Sequence, residues 1–271
     1  MPFTRSRAAI VIAMFACEPA SARAEQLTIR YGMTMLGLPL GTAGVTATFE
    51  PTSYRIAIDA KLSGLASLVA SFKTAANASG ALSEGRVNPA AFATTSSSAA
   101  MTRTVRMSLA SGAVRAMDIS PPLEDLPGRV PVSEADKRSV VDPVSALAMH
   151  IPGAEPLMGP AACNRTIAVF DGYTRFDLAL RYTGLRGVKV KGYAGPVTVC
   201  NVRYQPVSGH RPDRPGTKFL AASREIEVWL APVERMRLVV PFRISLPTLV
   251  GTAVIEAAEW RDEAAAASRT P

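Results

Sequence analysis

The residues that could support catalysis in this chain are few and show no pairing typical of an enzyme. His150 and His210 are the only histidines, and a nucleophile needs a base beside it. The sequence has no Gly-x-Ser-x-Gly motif, which would mark a nucleophile turn. Gly37–Gly44 is rich in glycine but lacks the lysine and the helix of a phosphate-binding loop. We therefore predict no catalytic residue and no cofactor.

Two pairs of carboxylates leave one catalytic alternative open. Asp171 and Asp177 flank a predicted hairpin, and Glu225 and Glu227 alternate along one strand face. Two carboxyl groups at a set separation hydrolyse glycosidic bonds, so a hydrolase of envelope polysaccharide is the alternative function. The sequence favours plainer roles, a turn residue for Asp171 and a solvated strand face for the two glutamates.

Cys163 and Cys200 are two of the three cysteines, and the third lies near the amino terminus. Two cysteines in an exported chain predict a disulfide. A metal site would need histidines at ligand spacing, and His150 and His210 are far apart in sequence. Since there is no Cys-x-x-Cys pair, we expect the disulfide to be structural and predict no metal site.

Arginine and aromatic residues recur on three of the predicted strands. Arg203 and Tyr204 are adjacent, and Trp229 and Arg243 lie on later strands. Such pairs commonly stack across neighbouring strands. Grooves of curved sheets also bind ligands, so these four residues are the candidate groove-lining set.

The first 24 residues have the three parts of a secretory signal peptide. Arg5 and Arg7 precede a short apolar run over residues 8–16, and small residues lead to a predicted cleavage after Ala24. The run is shorter than the roughly 20 residues of a permanent anchor. Acylation of Cys17 would instead give a lipoprotein, but the bulky residues before it favour ordinary cleavage. We predict a periplasmic mature chain.

Basic residues outnumber acidic residues both in the whole chain and in residues 25–271. The whole chain carries a formal net charge of +8, and residues 25–271 keep 27 basic and 21 acidic residues, a net charge of +6. This balance favours contact with anionic surfaces such as lipid headgroups. Basic residues are scattered and are not interleaved with aromatics, so a nucleic-acid role is not expected. No segment after the leader is long and apolar enough to be a transmembrane helix.

Period-two alternation of apolar and polar residues dominates the rest of the chain and predicts strands. The first three are Gln26–Leu36, Ala43–Phe49 and Tyr54–Asp59. Further strands are predicted over Thr74–Arg86, Ala91–Ala99, Thr102–Leu109, Val114–Ile119, Thr166–Phe170, Thr174–Tyr182, Leu185–Lys191, Val197–Tyr204, Glu225–Leu230, Arg237–Ser245 and Thr248–Glu259. Helical spacing predicts a helix over Ser63–Ser71, and Asp142-Pro143 predicts another over Pro143–His150.

Strands and helices do not alternate, which excludes a doubly wound parallel sheet. We predict a mainly β fold, in which one long twisted antiparallel sheet curls, barrel-like or as a spiral, around one or two short helices. The predicted organisation is a signal peptide over residues 1–24, a single β-rich domain over 25–261 and a flexible tail over 262–271.

Motifs that stand in order along the chain resemble one exported family of Gram-negative bacteria, domain of unknown function 3108. They are Asp142–Leu147, Cys163, Phe170–Gly172, Asp177-Leu178, Cys200–Gly209, Ile226–Pro232, Val240–Thr248 and Gly251–Ile255. The resemblance implies a periplasmic β-rich protein and no assigned reaction.

Other periplasmic proteins with a long curved sheet carry lipids or lipoproteins or support the envelope, which is a fold-level analogy. The predicted function is a non-enzymatic, envelope-associated protein that binds an apolar or lipid-like ligand or an envelope partner protein. A purely structural scaffold is a further hypothesis, and the sequence leaves the oligomeric state open.

Overall fold

The computed structural model describes residues 24–64, 67, 71–83, 85–124 and 127–263. The predicted signal peptide, apart from Ala24, lies outside the described residues. Most of the helix predicted over residues 63–71 and most of the predicted tail also lie outside them. The described residues thus cover almost all of the predicted β-rich domain.

The described residues form fourteen strands, one 3-10 turn and two short helices. The strands are β1 (Glu25–Met35), β2 (Leu38–Phe49), β3 (Ser53–Leu62), β4 (Phe72–Ser83), β5 (Arg86–Ser98), β6 (Thr102–Ala110), β7 (Ala113–Ser120), β8 (Met149–His150), β9 (Arg165–Phe170), β10 (Arg175–Val190), β11 (Tyr193–Ser208), β12 (Ile226–Val233), β13 (Leu238–Thr248) and β14 (Gly251–Asp262). The 3-10 turn is Ser145–Leu147, and the helices are α1 (Pro160–Cys163) and α2 (Pro215–Ala222).

All of these strands belong to one sheet. Its order is β7-β6-β5-β4-β3-β2-β1-β14-β13-β12-β11-β10-β9, with β8 paired to β13. Every pairing between named strands is antiparallel. The β1–β14 pair joins the two ends of the domain. The predicted fold class, a single large antiparallel sheet in a mainly β protein, is confirmed.

Strand β3 illustrates why alternation predicts the first strands well. Tyr54 and Ile56 are buried, whereas Arg55 and Ala57 between them are exposed. Successive side chains of a strand point to opposite faces, so apolar residues at every second position cover one face. The meander β1–β7 buries that face and leaves the other in solvent.

The hairpin β10–β11 is longer than the sequence predicts. The chain continues through Thr183 as one strand, because a bulge between Tyr182 and Gly184 accommodates the extra residue. The hairpin bends so that its turn contacts β14, where the backbone N–H of Trp260 donates to the Lys191 carbonyl at 2.8 Å. A Cβ on Gly192 would lie 1.7 Å from the Trp260 carbonyl oxygen, so this contact requires glycine.

The edge strands β7 and β9 do not pair with each other, so the sheet is not closed. Residues 137–141, here called the strap, lie between them. The N–H of Val140 donates to the Gly112 carbonyl at 2.9 Å, on the β7 side. The N–H of Val141 donates to the Ala168 carbonyl at 2.9 Å, on the β9 side. The strap thus satisfies backbone groups of both edges, which otherwise attract other chains.

The helix predicted over Pro143–His150 is wrong in length. Only Ser145–Leu147 is helical, and it is a 3-10 turn. Met149 and His150 instead form β8, with Val239 opposite Met149. The start signal at Asp142 is real, but strand pairing takes over the next residues after a single turn.

The interior has two apolar clusters. One lies against β1–β6 and part of β11–β14, and it contains Leu27, Phe49 and Phe242. The other lies against β10–β13 and contains Leu180, and it includes the disulfide between Cys163 and Cys200. This disulfide joins α1 to β11, with a sequence separation of 37.

Candidate ligand-binding interior

A buried polar network fixes the chain segment that enters the sheet. The carboxylate of Asp142 accepts hydrogen bonds from the N–H groups of Val144 (3.0 Å) and Ser145 (2.9 Å) and from the Ser145 hydroxyl (2.6 Å). The Ser145 hydroxyl also lies 2.7 Å from the Tyr54 hydroxyl on β3. Burial raises the pKa of Asp142, and these hydrogen bonds oppose that shift. The network holds the 3-10 turn against the inner face of the sheet.

On one side of this turn lies an apolar space of about 230 Å³, here called cavity A. Its walls come from β1, β2, β3, β13, β14 and the turn, and they include Ile29, Val45, Ile56 and Leu147. Tyr31 also lines it, but its hydroxyl donates to the Pro241 carbonyl at 2.6 Å. The wall therefore offers little to a polar ligand.

A second apolar space of about 250 Å³, here called cavity B, lies against β9–β13. Its walls include Met149, Val169, Leu180 and Val228. Among its described wall residues Glu227 alone is charged, and the Glu227 carboxylate accepts a hydrogen bond from the Trp229 indole N–H. Cavity B is thus as apolar as cavity A.

The two cavities are neighbours. Leu147, Pro241 and Ile244 line both, so these side chains stand between them. Each cavity alone lies below the lower limit, about 300 Å³, of ordinary small-molecule sites, and only a molecule that reaches past these side chains into both would occupy a space above it. Apolar walls give water few hydrogen bonds, so such spaces stay dry or accept apolar molecules.

Cavity A is closed at one end and reaches the surface at the other. Leu27 and Phe49 at the closed end are fully buried. Met33, Ile58 and Ile255 at the other end are half-buried. An elongated apolar molecule could therefore enter between β1, β3 and β14.

A polar cleft of about 600 Å³ lies beside the strap. Arg86, His150 and Arg165 line it, and no acidic residue is among its described walls. Burial, Arg237 and Arg165 lower the pKa of His150. The Arg165 guanidinium donates to the carbonyls of His150 (3.0 Å) and Ala161 (2.5 Å), so much of its binding capacity is used within the fold.

Two of the four predicted groove-lining residues come together. The Arg243 guanidinium carbon lies 5.1 Å from the centre of the Trp229 ring, and that of Arg186 lies 5.7 Å away. Arg243 also forms an ion pair with Glu256 on β14. This cluster joins four strands by side-chain contacts.

The other two residues lie apart from that cluster. Arg203 and Tyr204 are consecutive in β11, so their side chains leave opposite faces of the sheet. The Tyr204 ring packs 5.4 Å from the Phe176 ring, against the cluster around β10–β13. A ligand-binding role for Arg203, Tyr204, Trp229 and Arg243 stays a prediction.

The carboxylates of the hydrolase hypothesis have local roles. Asp171 accepts from the N–H groups of Tyr173 (2.9 Å) and Thr174 (2.6 Å), which shapes the hairpin turn, and burial raises its pKa. Asp177 pairs with Arg175 at 2.6 Å. Glu225 precedes β12 and is exposed.

The described residues hold neither a metal-binding cluster nor a membrane-spanning helix. No cluster of three or more His, Cys, Asp or Glu residues there could hold a metal ion. Within the same ranges, no helix has the length and hydropathy needed to cross a bilayer.

The sequence marks the residues of the cavity walls as core residues and gives no sign of the space between them. Alternation marks Leu27, Ile29 and Ile56 as inward-facing, but the same pattern describes a filled core. What leaves space is the position of Leu147 and Ala148, which depends on contacts with distant strands. No local signal in the sequence reports that position.

A solved structure and a family model match this chain. A crystal structure described as a beta-barrel-like protein of domain of unknown function DUF1849 from Brucella abortus is 10% identical. The match covers 88% of this chain and 97% of that chain, with a TM-score of 0.49. None of the curated proteins compared with this chain matches it. The family model described as "Protein of unknown function (DUF3108)" matches residues 26–258, and the chain therefore belongs to the DUF3108 family.

Proposed function

We propose that this protein is a non-enzymatic, envelope-associated binding protein that holds an apolar or lipid-like ligand inside its sheet. The observation that carries the proposal is the pair of adjacent apolar cavities, A and B, on the two sides of the 3-10 turn. Burial of apolar surface in such a space provides the binding energy, about 25 cal/mol per Å².

The site of action we propose is the periplasm. The signal-peptide pattern over residues 1–24 and the disulfide between Cys163 and Cys200 both support an oxidising compartment. The positive balance of the chain supports work beside anionic lipid. An envelope protein remains the alternative occupant, and cavities of this size favour a small molecule over a protein segment.

The local roles of the carboxylates favour binding over polysaccharide hydrolysis. Asp171 shapes a turn, Asp177 pairs with Arg175, and Glu227 accepts from Trp229. Each interaction explains the residue without a reaction.

The test is uptake of a neutral fluorescent apolar probe, N-phenyl-1-naphthylamine, by lipid-free protein, together with native mass spectrometry of protein from the periplasm. Ala60→Phe adds a ring to a half-buried wall of cavity A and should weaken uptake about tenfold or more. Ala57→Phe on the exposed face of the same strand is the matched control.

Uptake by the parent and by Ala57→Phe, with loss in Ala60→Phe, supports the proposal. Failure of the parent to take up the probe, with no copurified lipid, contradicts it. Equal uptake by all three proteins would mean that the probe binds elsewhere, and this would contradict the assignment to cavity A.

A further inference from the structure

Two hairpin turns at one end of the sheet lack charge altogether. No charged residue occurs between Arg30 and Glu50, or between Arg243 and Glu256. These stretches form the β1–β2 and β13–β14 turns, which are neighbours because β1 pairs with β14.

Four large aliphatic side chains at these turns face solvent. Leu36 is 66% exposed and Leu38 is 70% exposed, and Leu249 and Val250 are 59% and 71% exposed. These four residues are here called the apolar tip. Exposed aliphatic groups are ordinary when scattered, but a cluster marks a surface that contacts something apolar.

The tip is one surface and not two separate turns. The N–H of Leu36 donates to the carbonyl of Thr252 at 3.1 Å. A Cβ on Gly251 would lie 2.2 Å from the Leu36 side chain, so Leu36 packs directly over the second turn. The aliphatic groups of both hairpins therefore face the same region of solvent.

Local folding does not explain the leucine at the first turn. Leu36 and Gly37 have φ angles of 52° and 80°, as in a two-residue turn with both central residues in the left-handed region. Such turns favour Asn-Gly, since most side chains are strained there. Leu36 thus combines backbone strain with exposure, and a contact outside the chain would account for both.

Basic residues lie just below the tip. Lys61 and Lys73 are exposed cross-strand partners, and Lys61 pairs with Thr42. Thr42 is four residues beyond Leu38 on β2, which is roughly 13 Å at strand spacing. If the leucines lie in the outer hydrocarbon layer, the lysines lie farther out, at the level of the lipid headgroups. Their long side chains can then reach anionic headgroups.

The tip is also continuous with cavity A. Met33 and Ile255 are cross-strand partners between the tip and the interior, and both line the cavity. An apolar path therefore runs from the exposed leucines to the half-buried wall.

We propose that the apolar tip inserts into the surface of an anionic lipid bilayer and docks the protein there with the mouth of cavity A against the membrane. This docking rests on the surface alone and does not require the interior to bind a ligand.

The test is flotation of the exported protein with vesicles of phosphatidylcholine, with and without phosphatidylglycerol. Leu36→Asn combined with Leu249→Asn should weaken vesicle binding about a hundredfold, because two aliphatic groups no longer leave water. Asparagine suits the left-handed conformation at position 36, so this variant should keep its thermal stability. Phosphatidylglycerol should increase the affinity of the parent for vesicles. Lys61→Gln and Lys73→Gln should each reduce that increase about fivefold.

The matched control is Leu185→Asn combined with Met117→Gln, which removes exposed apolar groups away from the tip. It should bind vesicles as the parent does. Equal binding by the parent and the tip variant overturns the proposal, as does a parent that does not bind vesicles.

Two further outcomes separate this proposal from neighbouring ones. A concentration-dependent dimer that the tip variant abolishes, without vesicle binding by the parent, would assign the tip to a second copy of the chain and overturn lipid docking. Vesicle binding that depends on the tip, together with failed probe uptake, would support docking and contradict the proposed ligand inside the sheet.

Discussion

The two halves of the sheet differ in how many of their faces are buried. In β6, the exposed Arg106 separates the buried Val105 and Met107. In β13, Leu238, Val239 and Val240 are all buried in succession. The amino-terminal half thus packs against one apolar layer and forms a thinner wall, whereas β11–β13 lie between two apolar layers. The second layer contains the disulfide, and cavity A lies mainly against the thinner wall.

The largest expected effect is on the disulfide, which should stabilise one half selectively. Replacing both Cys163 and Cys200 by alanine should cost about 4 kcal/mol of unfolding free energy, because the bond closes a loop of 38 residues. Urea unfolding measures this loss. Amide exchange should show faster opening in β9–β13 than in β1–β7. Equal acceleration of amide exchange in both halves would contradict this difference between them. As a control, a reductant should destabilise the parent and leave the alanine variant unchanged.

The next effect compares one position from each half. Val239→Ala should cost about 2 kcal/mol, since two buried methyl groups are lost and leave a gap. The corresponding outer-face change in the thinner half, Arg106→Ala, should cost under about 1 kcal/mol, because its ion pair with Asp118 is exposed. Thermal unfolding of both variants checks the contrast. Similar losses would mean that the outer face of β6 is covered too.

The same difference explains how far the sequence predicts the fold. In β1–β7 one face meets water, so alternation marks each strand, and the seven strands predicted between Gln26 and Ile119 are all present. In β12 and β13 both faces are buried, and the alternation of Ile226, Val228 and Leu230 is only part of a nearly continuous apolar run. The presence of these strands could be predicted from the sequence, but not which face of each strand points inward.

Long-range contacts account for what the sequence could not predict. Asp142 gave a correct start signal, yet the helix after it stops because Met149 pairs with Val239. The cavities depend on where that segment enters the sheet. Of the candidate site, the sequence grouped Arg203, Tyr204, Trp229 and Arg243 as residues that line one groove, and in the structure only Arg243 and Trp229 of these four are in contact. The sequence also marked several cavity walls as apolar, but not the space between them.

A third prediction concerns Glu25, at the β1–β14 pair that joins the halves. Burial and the neighbouring carboxyl of Asp262 raise the pKa of Glu25 to about 7, while Arg235 opposes the shift. The folded chain therefore keeps a proton that the unfolded chain loses near pH 4.5. Stability should fall, by on the order of 1 kcal/mol, as the pH rises from 4.5 to 7. Thermal unfolding of Glu25→Gln, prepared with the same amino terminus, should show a smaller fall. An identical pH profile would contradict a shifted Glu25.

The smallest expected effect separates a structural from a ligand-binding role for the arginine and tryptophan cluster. Arg243 stacks on Trp229 and pairs with the half-exposed Glu256. A double-mutant cycle with Arg243→Gln and Trp229→Leu should give a coupling of about 0.5–1 kcal/mol, as expected for a cation beside a partly exposed ring. The same variants should take up the apolar probe with unchanged affinity, because neither residue lines cavity A or cavity B. A change in probe affinity larger than the change in stability explains would instead place these side chains on a ligand path and give the cluster a binding role beside its structural one.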